Sequence, residues 1–225
     1  PQTLPEAAAI VNPQLPGDES PCKTLSGAGV AFKLAAALDG CTPDEMLPFY
    51  GDLAAIGTIA DIMLLEGENR RIVKAGLALL QQTERPGIAA LIEACGLGGK
   101  ELTAENVSFG LAPRLNAAGR MDSAAAALEL LLCEDPEEAE AIVAGLEAQN
   151  AARQKAEQDI LQGVLDSVAA DETYGADRIL VVWGRGYHQG VIGIVASRVV
   201  ERFGKPAIIV SVDENGEGKG SGRSI

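Results

Sequence analysis

Aromatic side chains are scarce, at 4% of 225 residues, with one Trp, three Tyr and four Phe. That argues against a core of large rings. With Ala and 26 Gly plentiful, tight small-residue packing of helices on a sheet is expected. There is one histidine, His188, and the four cysteines (Cys22, Cys41, Cys95, Cys133) form no C-x-x-C pair. A structural zinc site needs clustered thiolates or imidazoles, so none is expected. The thiols read as reduced and cytosolic. No uncharged apolar run reaches the roughly 18 residues of a membrane span, and the stretch from Leu25 to Leu38 is broken by Lys33. Pro1 to Glu6 lacks the basic and apolar blocks of a signal peptide. Positive charge is short too: 18 Lys and Arg against 32 Asp and Glu, a net −14. Alone, that argues against nucleic acid. Yet from Ala176 onward seven Lys and Arg face five Asp and Glu, so the acidity lies almost wholly upstream.

What is present reads as alternating helices and strands. Pro13 to Pro21 is loop. A helix is expected over 27–38, capped by Thr24 or Ser26. Another starts at Asp44-Glu45 and runs toward Ala55. Ala54 to Asp61 reads as an apolar segment ending, strand-like, at a carboxylate. Helices follow over 68–80, over 86–95 with Gly96 as the stop, and over 124–132. Asp135-Pro136-Glu137-Glu138 has an N-cap Asp, a first-turn Pro and acids at the positive end of the helix dipole. That helix can run to about Ala170, about 50 Å at 1.5 Å per residue. Its apolar ends and polar middle suit a bridge between two bodies. Beyond it, 178–183 and 206–212 read as strands around a helix over 191–203, a β-α-β unit with parallel strands. A third strand would carry the last residues.

Three segments could carry chemistry. Lys219-Gly220-Ser221-Gly222-Arg223-Ser224 combines backbone freedom, two hydroxyls and a two-pronged guanidinium, as a phosphate pocket would. It also fits a Gly/Ser turn with a solvated Arg. Ala112-Pro113-Arg114-Leu115-Asn116-Ala117-Ala118-Gly119-Arg120 reads as a polar loop before a helix. Its two arginines suit phosphate oxygens or the nearby acids. Asp61, alone at the end of an apolar run, suits Mg²⁺ or Mn²⁺ as an oxygen donor, or a helix cap. His188 opens a helix from the loop Gly186-Tyr187-His188-Gln189-Gly190, where a loop hydrogen bond or a substrate contact would employ it. Asn150, Arg153 and Gln154 share one face of the long helix. Arg198 reads as a surface residue.

In order, the chain holds Ser26-Gly27-Ala28-Gly29, Gly57-Thr58-Ile59-Ala60-Asp61, Glu68-Asn69-Arg70 and Ala112 to Arg120. It then holds His188-Gln189-Gly190-Val191-Ile192-Gly193-Ile194-Val195-Ala196-Ser197-Arg198 and Lys219 to Ser224. This series resembles the RecJ-type exonucleases of the DHH phosphoesterase superfamily along essentially the whole chain. The resemblance implies an α/β fold: residues 1–133 as the C-terminal part of a DHH domain, 134–172 as a connecting helix, and 173–225 as the start of a DHH-associated domain. It implies a 5′→3′ exonuclease for single-stranded DNA in recombination and repair, using Mn²⁺ or Mg²⁺. Asp61 matches a catalytic metal-binding aspartate. Ser221, Arg223 and Ser224 match a phosphate-binding motif. Arg114, Asn116, Arg120 and Arg198 match positions lining a DNA channel, and Gln154 is a further carry-over.

The family's earlier motifs, including the Asp-His-His that names it, are absent. They would lie before Pro1, so the chain is expected to be a piece of a longer protein with little or no nuclease activity by itself. The resemblance further implies a cytoplasmic monomer with helicase or single-strand-binding protein partners. Rival readings are a phosphoesterase of short oligonucleotides or cyclic dinucleotides, and a non-catalytic nucleic-acid-binding subunit.

Overall fold

A computed structural model of the chain describes residues 4–171, 174 and 177–225. It divides into two compact units, one of Pro1–Pro113 with Leu130–Val143 and one of Arg114–Glu129 with Ala144–Ile225.

The first unit is helical. α1 spans Gly27–Leu38 and is capped by Ser26, whose hydroxyl accepts the Gly29 N–H. α2 spans Pro43–Ala60 and opens with a capping box between Thr42 and Glu45. α3 spans Gly67–Leu80, α4 Pro86–Ala94 and the short α5 Ala104–Asn106. A π-helical turn, Val107–Leu111, leads into α6, Ala112–Met121, and α7 follows at Ala125–Leu132. Small residues let the helices close up, as the composition predicts. A Cβ on Gly57 would stand 2.4 Å from that of Ala28, and one on Gly76 2.3 Å from the Gly51 carbonyl. The Ser26 and Thr58 hydroxyls meet at 3.1 Å in the buried α1–α2 contact.

The expected break inside α2 does not occur. Its β-branched run Ile56, Thr58, Ile59 favours a strand by propensity, but burial of Ala54, Ala55, Ile56 and Ile59 keeps it helical. The segment Ala112 to Arg120 is likewise helix, not loop.

α8 spans Pro136–Ala170, close to the expected extent, and the Asp135 carboxylate caps it by accepting the Glu138 N–H. In the second unit, β1 (Leu180–Arg185), α9 (Ile192–Phe203) and β2 (Ala207–Val212) form the expected β-α-β unit, with β1 and β2 parallel. β3 (Gly218–Arg223) pairs antiparallel with β2, giving the order β1-β2-β3. Leu180, Val182, Ala207 and Ile209 pack with Ile192, Val195 and Val199 of α9 and with Ile160 and Val164 of α8. Among the described residues no helix is long and apolar enough to cross a membrane.

Candidate phosphate-binding site

β3 reads Gly-Lys-Gly-Ser-Gly-Arg, and strand alternation sorts it into two faces. Lys219, Ser221 and Arg223 pair with Ser211, Ile209 and Ala207, on the face that α9 covers. There the strand meets the first turn of α9. A Cβ on Gly193 would stand 3.1 Å from Ser221 Oγ and 3.2 Å from Arg223 Nη2. Ser221 and Arg223 therefore converge on a bare stretch of helix backbone. Arg223 donates to Ser221 Oγ (3.4 Å) and to the Gly222 carbonyl (2.8 Å) through Nη1. α9 starts at Val191 without a side-chain cap. A helix N-terminus with a hydroxyl and a guanidinium beside it is suited to an anion. Ser224 is exposed just past β3.

The loop before α9 is fixed from several sides. The Gly190 N–H donates to His188 Nδ1 at 3.2 Å, so the neutral ring carries its proton on Nε2. A Cβ on Gly190 would stand 2.1 Å from the Arg120 carbonyl, so the end of α6 rests on this loop. Arg120 returns a long hydrogen bond, 3.4 Å, to the Gly190 carbonyl. The Tyr187 ring covers Gly184, which a Cβ would bring to 2.2 Å. Burial pushes the Tyr187 phenol above its usual pKa. A groove of about 1180 Å³ opens here, with Arg120, Arg185, His188 and Lys219 on its walls together with Asp122, Asp213 and Glu214.

Arg114 and Arg198 are held by acids. Arg114 pairs with Glu147, and Asn116 lies exposed on another face of α6, one turn before Arg120. Arg198 is more than a surface residue. Its Nε stands 2.5 Å from Glu157 Oε1, an ion pair without hydrogen-bond alignment. Glu157 is 3% exposed and also accepts from Arg153 Nη1 at 2.7 Å. Arg153 in turn donates to Asn150 Oδ1 at 3.1 Å. Gln154, expected beside them, is exposed and outside this network. Sequence reading missed Glu157, although its i, i+4 spacing from Arg153 is a visible signal.

In the first unit, Asp61 is an exposed helix C-cap, not a strand end. The Ile62 N–H donates to the Ile59 carbonyl and the Met63 N–H to the Thr58 carbonyl, the pattern of a Schellman motif. The left-handed position is filled by Ile62 (φ 54°), a β-branched residue where glycine is usual. Asp61 also sits at the negative end of the helix dipole, where a carboxylate is disfavoured. Asn69 anchors this end, donating to the Leu64 carbonyl (3.0 Å) and the Thr24 carbonyl (2.8 Å). Asp61 offers oxygen ligands of the kind Mn²⁺ and Mg²⁺ take. Among the described residues, however, no three His, Cys, Asp or Glu side chains stand together as a metal site.

The β-α-β unit, with a glycine, serine and arginine cluster where β3 meets the start of α9, defines a helix-rich α/β protein. No family model matches the chain. It is 47% identical over 224 residues to the single-stranded-DNA-specific exonuclease RecJ of Bacillus subtilis, covering 99% of this chain and 28% of that protein. It is 38% identical over 240 residues to the RecJ of Escherichia coli, covering 99% of this chain and 41% of that one. A crystal structure of Thermus thermophilus RecJ in complex with Mg²⁺ matches at a TM-score of 0.77 and 40% identity, over 92% of this chain and 31% of that one. An exonuclease RecJ bound to manganese matches at 0.73 and 39%, over 95% of this chain and 50% of that one. The chain is thus homologous, along nearly its whole length, to a segment of the RecJ exonucleases, and spans well under two thirds of the curated relatives it matches.

Proposed function

We propose that the chain is part of a metal-dependent exonuclease that removes nucleotides 5′→3′ from single-stranded DNA in recombination and repair. The observation that carries this reading is the convergence of Ser221 Oγ and Arg223 Nη2 on Gly193 at the start of α9. A phosphodiester oxygen placed there would receive the hydroxyl, the guanidinium and the positive end of the helix dipole. Phosphate contacts hold a strand without reading its sequence. Arg120, Asn116, Arg114, Arg198, Gln154 and Ser224 join the reading as strand contacts. Arg198 is the best prepared, since Glu157 holds one edge of its guanidinium.

Mn²⁺ or Mg²⁺ is the proposed cofactor, supported by the RecJ structures bound to these ions. When bound, such an ion activates water and offsets charge on the phosphoryl group. Asp61 would be one ligand. The unfavourable placement of its carboxylate and the left-handed Ile62 beside it support a functional position, since such strain costs about 1–3 kcal/mol. The division into residues 1–133, 134–172 and 173–225 belongs to the same proposal. So does work as a cytoplasmic monomer beside helicases or single-strand-binding proteins. The resemblance supports these, and four free cysteines fit a reducing compartment.

Fluorescence anisotropy with a 5′-phosphorylated single-stranded oligonucleotide tests the reading. Arg223→Ala and Ser221→Ala should each weaken binding, Arg223→Ala by about tenfold, the scale of one charge-assisted contact. Unchanged affinity in both variants would refute it.

A further inference from the structure

The phosphate reading uses Ser221 and Arg223 but leaves the third member of their row without a role. Lys219 lies on the same face of β3, two residues before Ser221. Two strand residues span about 6.8 Å, a step comparable to one nucleotide of an extended strand. The glycines between have a packing reason. A Cβ on Gly218 or Gly220 would stand 3.1 or 3.3 Å from the Val210 methyls, and one on Gly222 3.5 Å from Ile208 Cγ1. The polar row has no such reason. Ser211, opposite Lys219, donates its hydroxyl to the Tyr187 carbonyl at 2.5 Å. Among the described residues Lys219 and Arg185 form no ion pair.

We propose that Lys219 holds a second phosphate of the same DNA strand, one nucleotide along from the phosphate gripped by Ser221 and Arg223. The groove walled by Arg185, His188 and Arg120 receives the nucleotide beyond. This rests on the phosphate reading above. The row points the strand from Arg223 toward Lys219, and Lys219 is itself a wall of the groove. His188 presents Nε2–H as a donor, because Nδ1 is taken by the Gly190 N–H. Asp122, Asp213 and Glu214 share the groove and offset its cations. Asp213 is committed to the β2–β3 turn, accepting the Asn215 and Glu217 N–H groups at 2.9 Å each. Placed donors, not net charge, therefore recognise the strand, and the contribution of Lys219 is one contact.

The experiment compares the unsubstituted 225-residue chain with Lys219→Ala, Lys219→Arg and Arg223→Ala, each confirmed folded by circular dichroism. The probes are thymidine 5′-monophosphate, which has one phosphate, and a 5′-phosphorylated octathymidylate. Lys219→Ala should lose about three- to tenfold in affinity for the octanucleotide and none for the mononucleotide, which has no second phosphate. Its slope of log affinity against log salt should flatten by about 0.7, one phosphate contact on a single strand. Lys219→Arg should restore both. If Lys219→Ala binds the octanucleotide like the unsubstituted chain while Arg223→Ala does not, the second subsite is wrong and the first stands. Equal weakening on the mononucleotide would place Lys219 at the first phosphate and overturn the proposal. If the unsubstituted chain does not bind, or no substitution matters, the phosphate reading falls and this inference with it.

Discussion

Two residues show how much local geometry rests on one side chain. Gly193 leaves the gap that Ser221 and Arg223 fill, and a methyl there would press both by a few tenths of an ångström. Gly193→Ala should therefore weaken oligonucleotide binding severalfold. Stability should hold or rise, since Ala is the better helix residue by up to about 1 kcal/mol. Anisotropy beside a thermal melt separates the two effects, and unchanged binding would mean the cradle is not the contact. Ile62 is the opposite case. It is 86% exposed, so burial does not compensate its left-handed backbone. That conformation costs a residue with a Cβ about 1–2 kcal/mol, against about 0.5–1 kcal/mol of extra chain entropy for glycine. Ile62→Gly is expected to raise the urea midpoint by an amount worth about 0.5–1 kcal/mol. A lower midpoint would show that the Ile62 side chain supports something in the fold.

Among elements, α6 and the loop before α9 depend on each other through Gly190. A Cβ there would stand 2.1 Å from the Arg120 carbonyl and 3.2 Å from its Cα, so backbone must move. Gly190→Ala should cost about 1–3 kcal/mol, as overpacking usually does. It should also speed amide exchange at the end of α6, and unchanged exchange there would argue against this docking. Helix ends also explain why the sequence was legible in some places and not in others. α1 and α4 pass into glycines with positive φ, Gly40 (68°) and Gly96 (66°), and Gly96 announces the end of α4. α2 ends in the same geometry with Ile62, which carries no such signal. The Ala112 to Arg120 segment misled in a related way. Its Pro and Gly suggest a loop, but the π-helical turn Val107–Leu111 runs straight into α6, and Pro113 lies within that continuous helical stretch.

For the whole molecule, the chain's −14 charge and single candidate metal aspartate set limits. With no cluster of three ligating side chains among the described residues, the 225-residue chain with Mn²⁺ should release no mononucleotides from 5′-phosphorylated single-stranded DNA. Metal-dependent release that Asp61→Asn abolishes would contradict this. The sequence by itself determined the β-α-β unit, the long helix with its Asp135 cap, and the order of short motifs, because hydrophobic period and capping chemistry are local properties. It also marked Ser221, Arg223 and Asp61 by residue type. Only tertiary structure decided that α2 runs unbroken to Asp61, because burial outweighed the strand preference of its β-branched residues. Only tertiary structure joined Arg198 to Glu157 and brought Gly193 against β3. Those contacts link residues far apart in the chain, and no local pattern encodes which of them will meet.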